Sequence, residues 1–317
     1  MGDTPETLLE VVRYFSDLDI CHQYLRKIRW PRGPVCPHCE SKKVGIISRQ
    51  RLRCKECRKD VRDKAGTIFE DSPLGLDKWF VAVWSVANCK NGISSHELAR
   101  ALGVTQKTAW FMTHRIRKAM EVGSIDQEKF DGPTEADATY IGGKAANMHK
   151  HIREKKIVGR GAVGKAIVHG ILQRGEPSQV RADVVRADDA AELVPVVRRN
   201  VKYGAHVYTD DAAAYGSLAL THWHQAVDHS QRYVRGQVHT NGLENFWSLL
   251  KRGLGGTYVS VAPFHLFRYT AEQVFRFNAR KLSDGGRFAL ALGQTIGKRL
   301  TYRTLAGVGD AGFMGLE

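Results

Sequence analysis

The sequence lacks any run of about 18 consecutive apolar residues, so we expect no membrane-spanning helix. The opening stretch MGDTPETLLEVVRYF has neither the basic segment nor the small-residue cleavage site of a secretory signal, so we expect a cytoplasmic protein. Acidic residues are few relative to basic ones: 33 Asp and Glu against 48 Lys and Arg give a formal net charge of +15. This excess of positive charge favours a polyanionic partner, most commonly nucleic acid.

Cysteine is scarce too, with six in 317 residues, yet four of them stand as two pairs. Cys36 and Cys39 form CPHC, Cys54 and Cys57 form CKEC, and 14 residues separate the pairs. In a reducing compartment, pairs at such a spacing indicate a metal rather than disulfides. Four thiolates complete the tetrahedral shell of Zn²⁺, so we predict a structural zinc ribbon over residues 31–65, after an N-terminal helical segment over residues 1–30.

A helical region is predicted over residues 66–125, and its last two helices have the pattern of a helix-turn-helix. Ser94 and Glu97 match a capping box, Gly103 marks the turn, and Thr105 can cap the following helix. We predict that the outer face of this second helix contacts DNA through five side chains: Gln106, Lys107, Trp110, His114 and Arg115. A plain helical hairpin is the alternative interpretation.

From about residue 131 the pattern changes to strands separated by helices, which predicts a mixed α/β sheet with helices on its faces. We assign residues 131–285 to this domain and residues 286–317 to a C-terminal tail. The basic, Gly-rich loop after the first strand is expected to contact the DNA backbone through Lys155, Lys156 and Arg160. Its GRGAVGK stretch matches most of a P-loop, but Ala166 replaces the required Ser or Thr and a strand-like run follows, so nucleotide hydrolysis is not expected.

Three acids fall where a sheet-based carboxylate cluster needs them. Asp137 lies within the strand-like run EADATYIGG, Asp210 ends the run HVYTD, and Glu244 lies on the helix that begins at HTNGLENF. Lys251, seven residues after Glu244, shares its helix face and can bind a phosphate. Together the acids can hold Mg²⁺ or Mn²⁺ for phosphoryl transfer. Taken locally, Asn241 and Glu244 also match a capping box, which would make Glu244 merely structural.

The sequence resembles bacterial insertion-sequence DDE transposases of the zinc-ribbon group, the ISXO2-like family. Six stretches carry the resemblance: CPHC…CKEC, AGTIFEDSPLGLDKWF, TEADATYIGGK, VYTDDAAAY, HTNGLENFWSLLKRGLGGTY and YTAEQVFRFNAR. The resemblance implies an RNase H-like catalytic domain in which Asp137, Asp210 and Glu244 are the catalytic acids and metal ligands. Asn241 rivals Glu244 as the third ligand, because some relatives use Asn there.

The resemblance also implies an activity. The expected protein binds the terminal inverted repeats of its element, cleaves DNA with Mg²⁺ and joins it to target DNA, acting as a homo-oligomer that is nucleoid-associated when bound. Lys251 would be the basic residue that follows the third acid, and we expect the neighbouring Arg252 to contact DNA. Ala138 and Val259 depart from the acid and the His that relatives often have. A non-catalytic DNA-binding regulator and an RNase H-like nuclease without joining activity are the alternative functions.

Overall fold

The structure, a computed structural model, describes residues 4–49, 51–121, 128–142, 165–210, 213–227 and 237–307. The chain divides into two compact units, the first combining residues 1–122 with 279–317 and the second spanning residues 123–278. None of the described helices has both the length and the apolar character needed to cross a bilayer.

Ten helices and eight strands are used below, numbered in chain order. They are α1 (Leu8–Tyr14), α2 (Leu18–Arg29), β1 (Val44–Ser48), β2 (Arg51–Cys54), β3 (Asp60–Arg62), α3 (Leu76–Asn88), α4 (Ser95–Leu102), α5 (Gln106–Met120), β4 (Thr134–Ile141), β5 (Ala166–Gln173), β6 (Gln179–Val185), α6 (Ala190–Asn200), β7 (His206–Asp210), β8 (Trp223–Val227), α7 (Asn241–Arg252), α8 (Leu266–Asn278), α9 (Asp284–Gly293) and α10 (Tyr302–Leu305).

The hydrophobic core of the first unit surrounds α3, which is buried along most of its length. Phe80 and Trp84 of α3 pack against Phe288 of α9, with ring centroids 6.3 and 5.5 Å apart, and Phe15 adds a further ring 5.8 Å from Phe288. Residues that come after the second unit in the chain therefore complete this core. The segment 286–317, expected as a tail, forms part of a packed unit through residue 307.

The turn between α4 and α5 follows the predicted chemistry. Ser94 accepts a hydrogen bond from the Glu97 amide, and the Glu97 carboxylate accepts one from the Ser94 amide, so the capping box is confirmed. Gly103 adopts the left-handed conformation with a φ of +61°, which a residue with a side chain rarely takes up. Thr105 then caps α5 by accepting from the Thr108 amide.

The second unit is built on a five-stranded mixed sheet in the order β6-β5-β4-β7-β8. Strands β4, β5 and β6 form an antiparallel meander, whereas β4, β7 and β8 run parallel to one another. Helix α6 packs on one face through a buried cluster that includes Ala136 and Val207, and α7 and α8 pack on the other. The mixed α/β sheet predicted from the sequence is confirmed.

Candidate active site and zinc site

Four cysteine thiols converge in the ribbon formed by β1, β2 and β3. Each of Cys36, Cys39, Cys54 and Cys57 offers a sulfur atom within 4.8 Å of the other three. The Cys36–Cys57 and Cys39–Cys54 sulfur pairs are both 3.6 Å apart. Tetrahedral Zn²⁺ with bonds of about 2.3 Å would place sulfur atoms about 3.8 Å apart, so the four thiols are positioned for zinc, as predicted.

The two loops that carry the cysteine pairs have the same backbone geometry. Glu40 and Arg58, the residues that follow the second cysteine of each pair, have positive φ angles of 57° and 62°. Their amides donate to the carbonyls of Cys36 and Cys54, so both loops close by the same turn. Main-chain amides within its loop, that of Cys57 foremost, lower the pKa of the Cys54 thiol to about 6. The thiolate, which is the metal-binding form, is favoured at this position.

Two of the predicted acids lie at the same level on adjacent parallel strands. Thr134 pairs with Val207 and Glu135 with Tyr208, and Asp137 and Asp210 each follow two residues beyond the second pair. Side chains alternate along a strand, and Ala136 and Val207 point toward α6. Asp137 and Asp210 therefore both belong to the opposite face of the sheet, the one that α7 covers.

The environment of Asp137 disfavours its negative charge. The pKa of its carboxyl group is raised to about 6, chiefly by burial; the charges of Asp210 and Glu244 contribute to the rise, and a hydrogen bond from Trp247 opposes it. The three acids thus lie close enough for their charges to interact. A cation placed among them would relieve this repulsion, and carboxylate oxygens are the donors that Mg²⁺ prefers, so these residues fit the predicted metal.

Trp247 connects α7 to the strand that bears Asp137. Its indole Nε1 donates to Asp137 Oδ2 over 2.8 Å. The ring lies directly on the backbone of Gly170 in β5, the residue paired with Asp137 across the sheet. A Cβ atom at Gly170 would stand only 2.6 Å from the Trp247 ring, so a glycine is required there for close approach.

Helix α7 carries the remaining predicted residues of this site. Its buried side, Leu243, Phe246, Trp247 and Leu250, is the stripe expected from helical spacing. Glu244 is exposed on the same helix, as are Asn241 at its start and Lys251 at its end. The capping box considered for Asn241 and Glu244 is absent, because α7 is preceded by Thr240 and no side chain caps it in that way. Glu244 is therefore not held in a structural cap.

The acid that does satisfy the start of α7 is Glu135, which sequence reasoning missed. Its buried carboxylate accepts a hydrogen bond from the Leu243 amide through Oε2 (3.0 Å) and one from Arg174 Nε through Oε1 (2.7 Å). Arg174 also donates to the carbonyls of Gln237 and His239, both over 2.6 Å. We call these contacts the Glu135 network. It joins β4, the residue that follows β5 and the first turn of α7 on the face that bears Asp137.

The three acids are not gathered as tightly as the cysteines. Within the described parts of the chain, the four cysteines form the one group of three or more candidate ligands whose donor atoms all lie within 4.8 Å. Asp137 and Asp210 lie on the sheet face that α7 covers, and the charges of Asp210 and Glu244 act on Asp137, but the three acids do not form such a group. Closure around a metal would require adjustment of their side chains.

Comparison with known proteins identifies the family of the chain. The sequence model of the ISXO2-like transposase domain matches residues 129–278, and that of a transposase zinc-ribbon domain matches residues 17–60. A Halobacterium salinarum protein, described as an uncharacterized protein in transposable element ISH50, is 30% identical over 246 residues, which cover 73% of this chain and 81% of that protein. The chain belongs to the ISXO2-like transposase family.

A second relative matches a smaller part of this transposase. It is an uncharacterized transposase-like protein of Haemophilus influenzae, 32% identical over 102 residues, which cover 32% of this chain and 82% of the relative. No solved structure matches the chain.

Helix α5 of the transposase presents only part of the face predicted to contact DNA. Gln106 and Lys107 are exposed and Trp110 is half-buried. His114 is fully buried and Arg115 is 5% exposed, so their predicted position on an outer face was wrong. The reason is that residues from beyond the second unit cover this part of α5: Arg115 Nε donates to the Leu300 carbonyl over 3.1 Å.

Of the other predicted DNA contacts, the structure describes Arg252. Arg252 is exposed at the end of α7, next to Lys251. Lys155, Lys156 and Arg160 lie outside the described residues, so their predicted role stays a prediction.

Proposed function

We propose that this protein is an active DDE transposase that binds the terminal inverted repeats of its insertion sequence, cleaves DNA at the element ends and transfers the strand to target DNA. The proposal depends on one observation: Asp137 and Asp210 lie at the same height on adjacent parallel strands, and Glu244 is close enough to raise the pKa of Asp137. The sheet order, an antiparallel meander followed by two parallel strands, supports an RNase H-like catalytic domain.

In this proposal Asp137, Asp210 and Glu244 would hold Mg²⁺ or Mn²⁺, and the bound ion would supply charge stabilisation at the attacking and leaving oxygens. The Trp247 indole orients the Asp137 carboxylate by occupying Oδ2. The exposed Lys251, two turns beyond Glu244, binds a phosphate of the substrate strand. Helices α4 and α5 act as a helix-turn-helix, and the zinc ribbon, with its basic strands, adds phosphate contacts.

The test is Mg²⁺-dependent joining of a labelled terminal-repeat duplex to a target plasmid. The Asp137→Asn, Asp210→Asn and Glu244→Gln variants should each lose joining by about a thousandfold or more, because removing one charged ligand disables the metal site. The Asp131→Asn variant is the control, since that carboxylate is 70% exposed and pairs with Lys202. Normal joining by the Asp137→Asn variant would contradict the proposal.

A change of metal sharpens this test. A thiolate accepts Mn²⁺ more readily than Mg²⁺, so the Asp210→Cys variant should recover activity with Mn²⁺ and not with Mg²⁺ if Asp210 is a ligand. The same assay decides between Glu244 and Asn241: the true ligand is the one whose substitution abolishes joining. Binding without cleavage would identify a DNA-binding regulator, and cleavage without joining would identify a nuclease.

A further inference from the structure

A cavity of about 470 Å³ lies within the first unit, beside the start of α5. Three aromatic side chains line it: Trp79 of α3, Phe111 of α5 and Tyr302 of α10. The volume falls in the range of about 300–1,000 Å³ typical of small-molecule sites. Neither the zinc site nor the acids of the second unit contribute to it, and the catalytic proposal leaves it without a role.

The charge inside the cavity is unbalanced toward positive. Arg115 lines it and is 5% exposed, yet its nitrogen atoms donate to the main-chain carbonyls of Leu300 and Glu70 rather than to a carboxylate. Its guanidinium also lies 5.0 Å from the Phe111 ring centroid. The nearby acid Asp71 is engaged by Arg299 over 2.6 Å. A buried cation without a direct carboxylate partner favours an anionic ligand.

Lys107 places a second cation at the same cavity. Its Nζ lies 5.2 Å from the centroid of the Tyr302 ring, and it forms no ion pair with any carboxylate in the described ranges. Lys107 is also one of the two residues that α5 exposes near its start. A phosphate that reached this end of α5 would meet Lys107, and an attached ring could then lie against the aromatic wall of the cavity.

We propose that this cavity accepts one unstacked nucleotide of the bound DNA, with its phosphate near Lys107 and its base against Phe111 and Tyr302. This inference rests on the proposed function, because it takes α5 as a DNA-contacting helix. Stacking of a base on an aromatic side chain tolerates any sequence and contributes substantially to affinity. Drawing a base out of a duplex opposes this gain, and least so where the base is already unpaired.

The experiment places a single mismatch at each position in turn of a terminal-repeat duplex and measures the dissociation constant of the full-length, zinc-loaded protein. We expect one position at which the mismatch tightens binding by about fivefold or more, because the base no longer has to leave a pair. The Tyr302→Ala variant should still bind the paired duplex, but the mismatch should no longer tighten its binding. Tyr302 is 49% exposed, so its substitution should leave the fold intact.

The matched control is Tyr203→Ala in the second unit, where Tyr203 is 81% exposed, and this variant should keep the gain. Binding of the paired duplex with no mismatch gain at any position, or a gain that Tyr302→Ala retains, overturns the cavity proposal alone. Failure of wild type to bind the duplex at all overturns the proposed function and the cavity proposal together. If deoxyadenosine 5′-monophosphate binds as tightly as DNA, a free nucleotide is the occupant and the proposal is wrong.

Discussion

Replacing Asp137 with asparagine should stabilise the folded protein and at the same time abolish strand joining. Burial and the neighbouring acids raise the pKa of the Asp137 carboxyl group from an ordinary 3.8 to about 6. Asparagine has nearly the same size and offers an oxygen that can accept the hydrogen bond from Trp247 Nε1. The substitution therefore removes an unfavourable charge without creating a cavity or leaving the indole unpaired.

The direction and size of this change in stability follow from the pKa of Asp137. Because the folded protein holds this proton more tightly than the unfolded chain, the contribution of Asp137 to stability falls as the pH rises from about 4 to about 6. The pKa rises from 3.8 to about 6, which at about 1.36 kcal/mol per pKa unit is about 3 kcal/mol. Allowing for the partial exposure of the carboxyl group, we expect the variant to be about 2 kcal/mol more stable at neutral pH.

The assay is urea denaturation in Mg²⁺-free buffer over a pH series. The Asp137→Asn variant should match wild type near pH 4, as a rough guide, and gain its full advantage above about pH 6. Added Mg²⁺ should reverse the order, because it stabilises only the protein that binds it. Asp131→Asn, with its exposed carboxylate, should change stability by less than about 1 kcal/mol at any pH. A variant less stable than wild type at neutral pH, or an advantage independent of pH, would refute the reasoning.

Three further predictions concern the neighbouring structure. The Glu135→Gln variant should lower the free energy of unfolding, measured in urea, by about 3 kcal/mol, because it breaks a buried ion pair and weakens the hydrogen bond to the start of α7. The control Glu128→Gln, at an exposed ion pair, should lower it by less than about 1 kcal/mol. Equal losses would contradict this prediction. Gly170→Ala should destabilise by about 1–3 kcal/mol and shift Trp247 fluorescence, whereas Gly216→Ala, with open space around it, should not; an unshifted emission would contradict the packing. Removal of zinc by a chelator should unfold the ribbon and abolish DNA binding. The circular dichroism of the whole chain should change little, because the second unit does not depend on zinc. A ribbon that keeps its strands without zinc would contradict this.

Local patterns were sufficient to predict much of the fold. The spacing of the cysteine pairs depends only on the metal geometry, so the zinc site could be placed from the sequence. The buried stripe of α7 follows from helical periodicity, and the capping box at Ser94 from two residues three apart. Each of these features is decided within a few turns of chain, where the sequence carries the whole signal.

Features that depend on distant segments could not be predicted in this way. Glu135 and Asp137 look alike in the sequence, two acids of one strand, yet Glu135 meets Arg174 and the start of α7 while Asp137 meets Trp247. The burial of Arg115 likewise depends on Leu300, which is 185 positions away in sequence. Helical periodicity identifies one buried face and cannot reveal a second one that is covered by a remote part of the chain.

The discontinuous first unit has a consequence for how the chain is made. Because Phe288 fills the core beside Phe80 and Trp84, translation must pass through the whole second unit before the N-terminal helices can acquire their final packing partner. A nascent or prematurely terminated chain would expose that apolar surface and become a target for chaperones and proteases. A chain that stops before residue 279 does not complete this core, so shortened copies of the protein should be cleared from the cell.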